Sequence, residues 1–144
     1  MQKLILILLL LFESIIDIKE KKVYVIVPGI YIFAMLLYQI CFEKTQWNEL
    51  ILPVVGGIFM YGINVLTQEA IGKGDVWLIE MILVSMPWEQ GFFCVMISFF
   101  LAALFSVGWF GLSKRRKKNI SFPFAPFLCV GTMLAIGLEM GTFE

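Results

Sequence analysis

Apolar residues run along this chain in six blocks, approximately Leu4 to Ile18, Val23 to Phe42, Leu50 to Leu66, Val76 to Met86, Gly91 to Leu112 and Phe122 to Met140. A helix that crosses a bilayer needs roughly 20 apolar residues, fewer when its ends are polar or it lies within a bundle. Short connections that hold charges or helix breakers separate the blocks. The pattern predicts an all-α integral membrane protein, a bundle of six transmembrane helices. The fourth block is short. From Val76 to Met86 it rises only about 16 Å at 1.5 Å per residue, against a hydrocarbon core roughly 30 Å thick. Such a helix starts below the headgroups, where water can reach its first residues.

Composition agrees with the pattern. Of 144 residues, 60% are hydrophobic and 15% charged, with a mean hydropathy of +0.92. Soluble domains are nearer half apolar and a quarter charged. The length suits a single membrane domain over residues 1–144. Lys3 followed by Leu4 to Phe12 fits the start of a signal peptide, but the continuation Glu13-Ser14-Ile15-Ile16-Asp17 offers no small-residue cleavage site. The first block is therefore expected to remain as a helix. A net charge of zero gives no field for nucleic acid. The chain has no histidine, which excludes Ser-His-Asp and Cys-His catalysis, His-based zinc sites and His-ligated haem. Cys41, Cys94 and Cys129 are far apart and form no CxxC pair, so they are expected as small apolar side chains.

The zero balance hides an asymmetry. Three connections hold 9 of the 11 basic residues: Lys19 to Lys22, Lys73, and the run Lys114–Lys118. They fall on one side of a six-helix alternation, so that side is expected to be cytoplasmic and both termini extracytoplasmic. The five-residue basic run is expected to face anionic headgroups.

Ionisable residues in or beside membrane helices are costly and functional by default. Glu13, Asp17, Asp75 and Glu80 qualify. In the six-helix topology, Asp17 ends the first helix and Asp75 opens the fourth at the same depth. Two such carboxylates can share a proton: one takes a proton from water, the other polarises a carbonyl. Asp75 follows Gly72-Lys73-Gly74. Two glycines let backbone approach backbone, which would admit an extended peptide. The plainer alternative is a loop with Asp75 as a helix N-cap. Glu13 lies one turn from Asp17 on the same face. Glu13, Glu80, Asn64 and Gln68 are either a polar lining of the site or hydrogen-bonding glue between helices. Pro123 and Pro126 would hold an irregular start to the last helix, either a wall of the site or a stiff helix start. On helix dipoles alone, Asp75 at an N-terminus is the expected base and Asp17 at a C-terminus the expected acid.

Three ordered blocks resemble the type IV prepilin peptidases, membrane aspartic proteases with a GxGD signature. They are Ile16-Asp17 with the basic stretch and Val23 after it, Gly72-Lys73-Gly74-Asp75-Val76, and Phe122-Pro123-Phe124-Ala125-Pro126-Phe127-Leu128. The resemblance implies that Asp17 and Asp75 are the catalytic pair, that Gly72, Lys73 and Gly74 form the active-site loop, and that Glu13, Pro123, Phe124 and Pro126 line it. It implies cleavage, after a glycine and at the cytoplasmic face of the prokaryotic membrane, of the basic leader of a prepilin-like membrane protein, without metal or cofactor. The partners are then that substrate and the lipid bilayer, not nucleic acid. Two positions depart from the family: Val23-Tyr24-Val25 stands where Ile-Pro-Asn or Ile-Pro-Asp is common, and Trp77 where lysine is common. No cytoplasmic insertion with paired cysteines is present, so the chain resembles the short, peptidase-only forms, such as those of Flp/tad-type pilus systems. Two other classes stand as alternatives: an ion- or proton-coupled transporter, marked by repeat symmetry and a midplane site, and a non-catalytic membrane assembly subunit.

Overall fold

The computed structural model describes residues 1–43, 47–67, 72–112 and 123–142. Lys44, Gln68, Glu69, the basic run Lys114–Lys118 and Phe122 lie outside them. Six α-helices follow in order, and no strand occurs among the described residues: α1 Gln2–Glu20, α2 Ile26–Tyr38, α3 Trp47–Leu66, α4 Lys73–Ser85, α5 Trp88–Leu112 and α6 Ala125–Thr142. A π-helical turn, Gln39–Glu43, extends α2. All six apolar blocks are helices. One of them, α5, is long and apolar enough by itself to cross a membrane.

The helix boundaries differ from the apolar blocks where polar residues continue or stop a helix. α4 starts at Lys73, three residues before its apolar run. α2 starts at Ile26, three residues after its own begins. The delay comes from the end of α1. Lys21 takes a left-handed conformation, φ 51° and ψ 38°, and returns its N–H to the Asp17 carbonyl. That turn closes α1 and directs the chain into α2.

The outer surface is largely apolar, and buried polar groups lie among an apolar core. On α1 the buried residues are Leu6, Leu10, Glu13, Ser14 and Asp17, a stripe at helical spacing that includes both of the helix's central carboxyls. Its outward face carries Leu4, Leu8, Leu11, Phe12 and Ile15, all exposed. Within α5 the buried residues are Gly91, Cys94, Val95 and Ser98, and from Phe99 onward no side chain is buried. Apolar groups outside and polar groups inside suit a hydrocarbon solvent, where polar atoms need protein partners.

The helices form two groups joined by α4. One group packs α1 and α5 against α6; the other packs α2 and α3 against α4. α4 also touches α1, α5 and α6, and Leu78, Ile79, Met81, Ile82 and Val84 are almost wholly enclosed. A helix apolar all round belongs at the centre of a bundle. Its far end is held by polar bonds, with Gln39 Nε2 donating to the Val84 carbonyl at 2.8 Å and Ser85 Oγ donating to the Tyr31 hydroxyl at 3.0 Å. The first of these occupies a carbonyl that the helix end would otherwise leave unpaired.

At the α5–α6 seam the backbones meet at Ser98 and Gly131. A Cβ at residue 131 would fall 2.9 Å from both the Cα and the N of Ser98. Gly137, two turns on, faces open space. Gly131→Ala should therefore lower stability by roughly 1–3 kcal/mol through overpacking, while Gly137→Ala should leave it unchanged or raised. Thermal unfolding of both variants in detergent checks the contrast.

Candidate active site

Three helix ends meet at one end of the bundle. They are the C-terminal turn of α1 with Asp17, the N-terminal turn of α4 with Asp75, and the start of α6 after Pro123 and Phe124. Asp17 is buried, 6% exposed, and lies within electrostatic reach of the half-buried Asp75. Glu13, one turn along α1, feels the Asp17 charge as well. The site thus holds a cluster of three carboxyl groups.

The start of α6 explains how Asp17 is held. The first N–H groups of a helix have no partner within it. Here Phe127 and Leu128 both return their N–H groups to the Phe124 carbonyl. Pro126 has no N–H to give. That leaves Ala125, whose N–H donates to Asp17 Oδ2 at 3.2 Å. The N–H of Phe124 stands beside the same carboxylate. Pro123 and Phe124 precede the helix and Pro126 sits in its first turn, so the irregular start is shorter than the two prolines suggested.

The two glycines before Asp75 have separate physical reasons. Gly72, not Asp75, is the N-cap of α4, with φ −55° and ψ 137°. Asp75 is the third helical residue, and its N–H returns to the Gly72 carbonyl at 3.0 Å. The plain N-cap reading of Asp75 is therefore replaced. Its carboxylate instead folds back, with Oδ2 3.0 Å from where a Cβ on residue 72 would lie. Gly74 is pressed against Val23. A Cβ there would collide with the Val23 side chain, whose Cγ1 would lie 2.9 Å away. Glycine at 74 thus lets α4 approach the segment that follows α1. Lys73, between them, is exposed.

The dipole argument for acid and base rested on one helix end for each carboxylate. The structure brings a second helix end to Asp17, the N-terminus of α6. An amide bond to a charged acceptor stabilises it by roughly 1.5–3 kcal/mol, against roughly 0.3–1 kcal/mol for a helix dipole. The direct bond outweighs the dipole, so Asp17 is the better place for the negative charge.

Other polar groups fall around this core. Tyr24 donates its hydroxyl to Glu20 Oε2 at 2.9 Å, bracing the turn between α1 and α2. Trp77 is exposed and packs beside Gly29 of α2. From Val76 inward, a groove of about 340 Å³ runs between α2, α3 and α4, lined by Ile32, Ile58, Tyr61 and Trp77. Glu80 also lines it, with its carboxylate laid against Gly57 of α3. Asn64 is 1% exposed, and its Oδ1 lacks a hydrogen-bond partner. Of these, the Ala125 amide was invisible in the sequence as a site group, because a backbone donor has no side-chain signature. The absence of an N–H at Pro126 was the one clue.

A family model described as the type IV leader peptidase family matches residues 4–107. That span holds Asp17 and Gly72 to Asp75 and stops before the start of α6. No curated protein and no solved structure matches the chain.

The Val23–Gly74 contact generates a stability prediction. Gly74→Ala should cost roughly 1–3 kcal/mol by forcing α4 away from α1. Because the collision is with the Val23 Cβ, Val23→Gly should relieve it and Val23→Ala should not. A double-mutant cycle on thermal unfolding reads the coupling.

Proposed function

Since the chain belongs to the type IV leader peptidase family, we propose that it is a membrane aspartic endopeptidase of a single domain, residues 1–144. It removes the basic leader of prepilin-like proteins at the cytoplasmic membrane face, with Asp17 and Asp75 as the catalytic pair. The observation that carries this reading is the position of those two residues. They come from different helices, lie within reach of each other's charge, and share one bundle end with the glycine loop. The inward-facing carboxyls and outward-facing apolar residues favour a six-helix membrane topology, and the three basic connections favour both termini outside.

The arrangement suggests the roles. Asp17, bonded to the Ala125 amide, is the base, and Asp75 carries the shared proton. A water between them gives a proton to Asp17 as its oxygen attacks the scissile carbonyl carbon. Asp75 protonates the carbonyl oxygen, giving a tetrahedral diol. Asp17 then passes its proton to the leaving nitrogen, the C–N bond breaks, and Asp75 regains its proton from the diol. This cycle needs only carboxyl groups, in keeping with a chain that has no histidine.

Gly72, the N-cap of α4, with Lys73 and Gly74 in its first turn, forms the surface over which an extended leader passes, with Glu13, Pro123, Phe124 and Pro126 around the pair. A basic leader is attracted to the carboxyl cluster and to the exposed Glu20. The apolar stem of the substrate enters sideways from the bilayer along exposed Phe and Leu side chains. The absence of a cytoplasmic insertion argues for peptidase activity without N-methylation.

Co-expression with a prepilin-like membrane protein tests the reading. Wild type should shorten it, and Asp17→Asn and Asp75→Asn should each abolish shortening while accumulating in the membrane. Shortening by both variants would overturn the proposal.

A further inference from the structure

Glu13 has the least solvent exposure of any carboxyl group among the described residues. Its exposure is 0%, and neither of its carboxyl oxygens has a hydrogen-bond partner. The nearest backbone donor, the Tyr24 N–H, faces it without reaching hydrogen-bond geometry. No lysine or arginine occurs among the buried polar residues that are described. A carboxylate with neither cation nor donor is a costly group in a protein interior, and it sheds its charge by taking a proton. The resulting O–H then needs an acceptor.

One acceptor lies on the same helix face. Glu13 and Asp17 are separated by one turn, both point inward, and the Asp17 charge acts on Glu13. A carboxylate has about four acceptor sites, and the Ala125 amide takes one of those on Asp17. The other groups that face this cluster come from three further elements. α4 brings Asp75 and the exposed Lys73, and α6 brings Cys129, which lies beside Ser14. The segment after α1 brings Tyr24, whose hydroxyl is engaged by Glu20. Lys19, Lys21 and Lys22 are exposed.

We propose that Glu13 is a protonated positioning residue that donates its O–H to the Asp17 carboxylate, so that Glu13, Asp17 and Asp75 together carry one negative charge, placed on Asp17. This rests on the peptidase reading above and deepens it. Two equivalent carboxyls would share a proton without preference. A donor on Asp17 from within α1 and a second from α6 fix which of the two is the base before substrate arrives.

The test uses the full chain in detergent or nanodiscs with a prepilin-like substrate, and kcat and KM measured across pH. Glu13→Gln keeps a neutral donor, so its kcat should stay within about threefold of wild type, with the same acid limb. Glu13→Leu removes the donor. Its kcat should fall about tenfold or more with KM nearly unchanged. Asp17 must be ionised to act as base. Without the donor it holds its proton to higher pH, so the acid limb of kcat moves up in pH. A purely structural role would move neither the limb nor the split between kcat and KM. The infrared spectrum at neutral pH should also show a protonated-carboxyl band that disappears in Glu13→Gln. Wild-type kcat and limb in Glu13→Leu would overturn the proposal. So would a Glu13→Gln variant that loses most of its activity, or a band unchanged by that substitution. If Glu13→Leu does not accumulate, the Glu13→Gln profile and the band decide. Asp17→Asn and Asp75→Asn in the same assay separate the two readings. Cleavage by both would remove the peptidase reading itself, whereas cleavage that needs both aspartates leaves Glu13 to be judged alone.

Discussion

The bond from the Ala125 amide to the Asp17 carboxylate joins residues 108 positions apart. It answers two needs at once. A helix N-terminus inside a membrane protein has an amide to satisfy, and a buried carboxylate has a charge to stabilise. Pro126 removes the next amide and the following ones turn back to Phe124, so the donors left for Asp17 are the amides of Ala125 and Phe124. α1 and α6 are thereby fixed relative to each other at the end where the three helix termini meet. Asp75 and Gly74 can only be positioned against a frame that is already set.

That frame keeps its polar atoms inside. α1 shows leucine, isoleucine and phenylalanine to its surroundings and turns Glu13 and Asp17 inward. α4, which with α2 is the shortest of the six α-helices at 13 residues, is enclosed by neighbours along most of its length and brings Asp75 in at its first turn. At its other end Gln39 and Tyr31 of α2 hold Val84 and Ser85. The membrane environment makes such bonds worth keeping, since no water replaces them.

Much of this was legible beforehand. The six apolar blocks became helices because each is a long apolar run bounded by charges or helix breakers. Asp17 and Gly72 to Asp75 stood out because charge and glycine are costly in such runs. What the sequence concealed were contacts between distant backbone segments. Nothing in the sequence marks Val23 as the residue that presses on Gly74, a relation set by three dimensions and not by spacing. The start of α4 at Lys73 was hidden because the polar residues of its first turn resemble a loop. Helix ends alone favoured charge on Asp75 because they count the dipole of α1 and not the amide of α6 that bonds Asp17. The basic run Lys114–Lys118, which set the expected orientation, lies outside the described residues.

The division of the helices into two groups has a mechanical consequence. Asp17 rides with α1, α5 and α6, while Asp75 rides with α2, α3 and α4. The seam between the groups is therefore also the gap between the carboxylates. With α4 anchored to α2 at its far end, the distance between the two carboxyl groups is set by how closely one group of helices packs on the other.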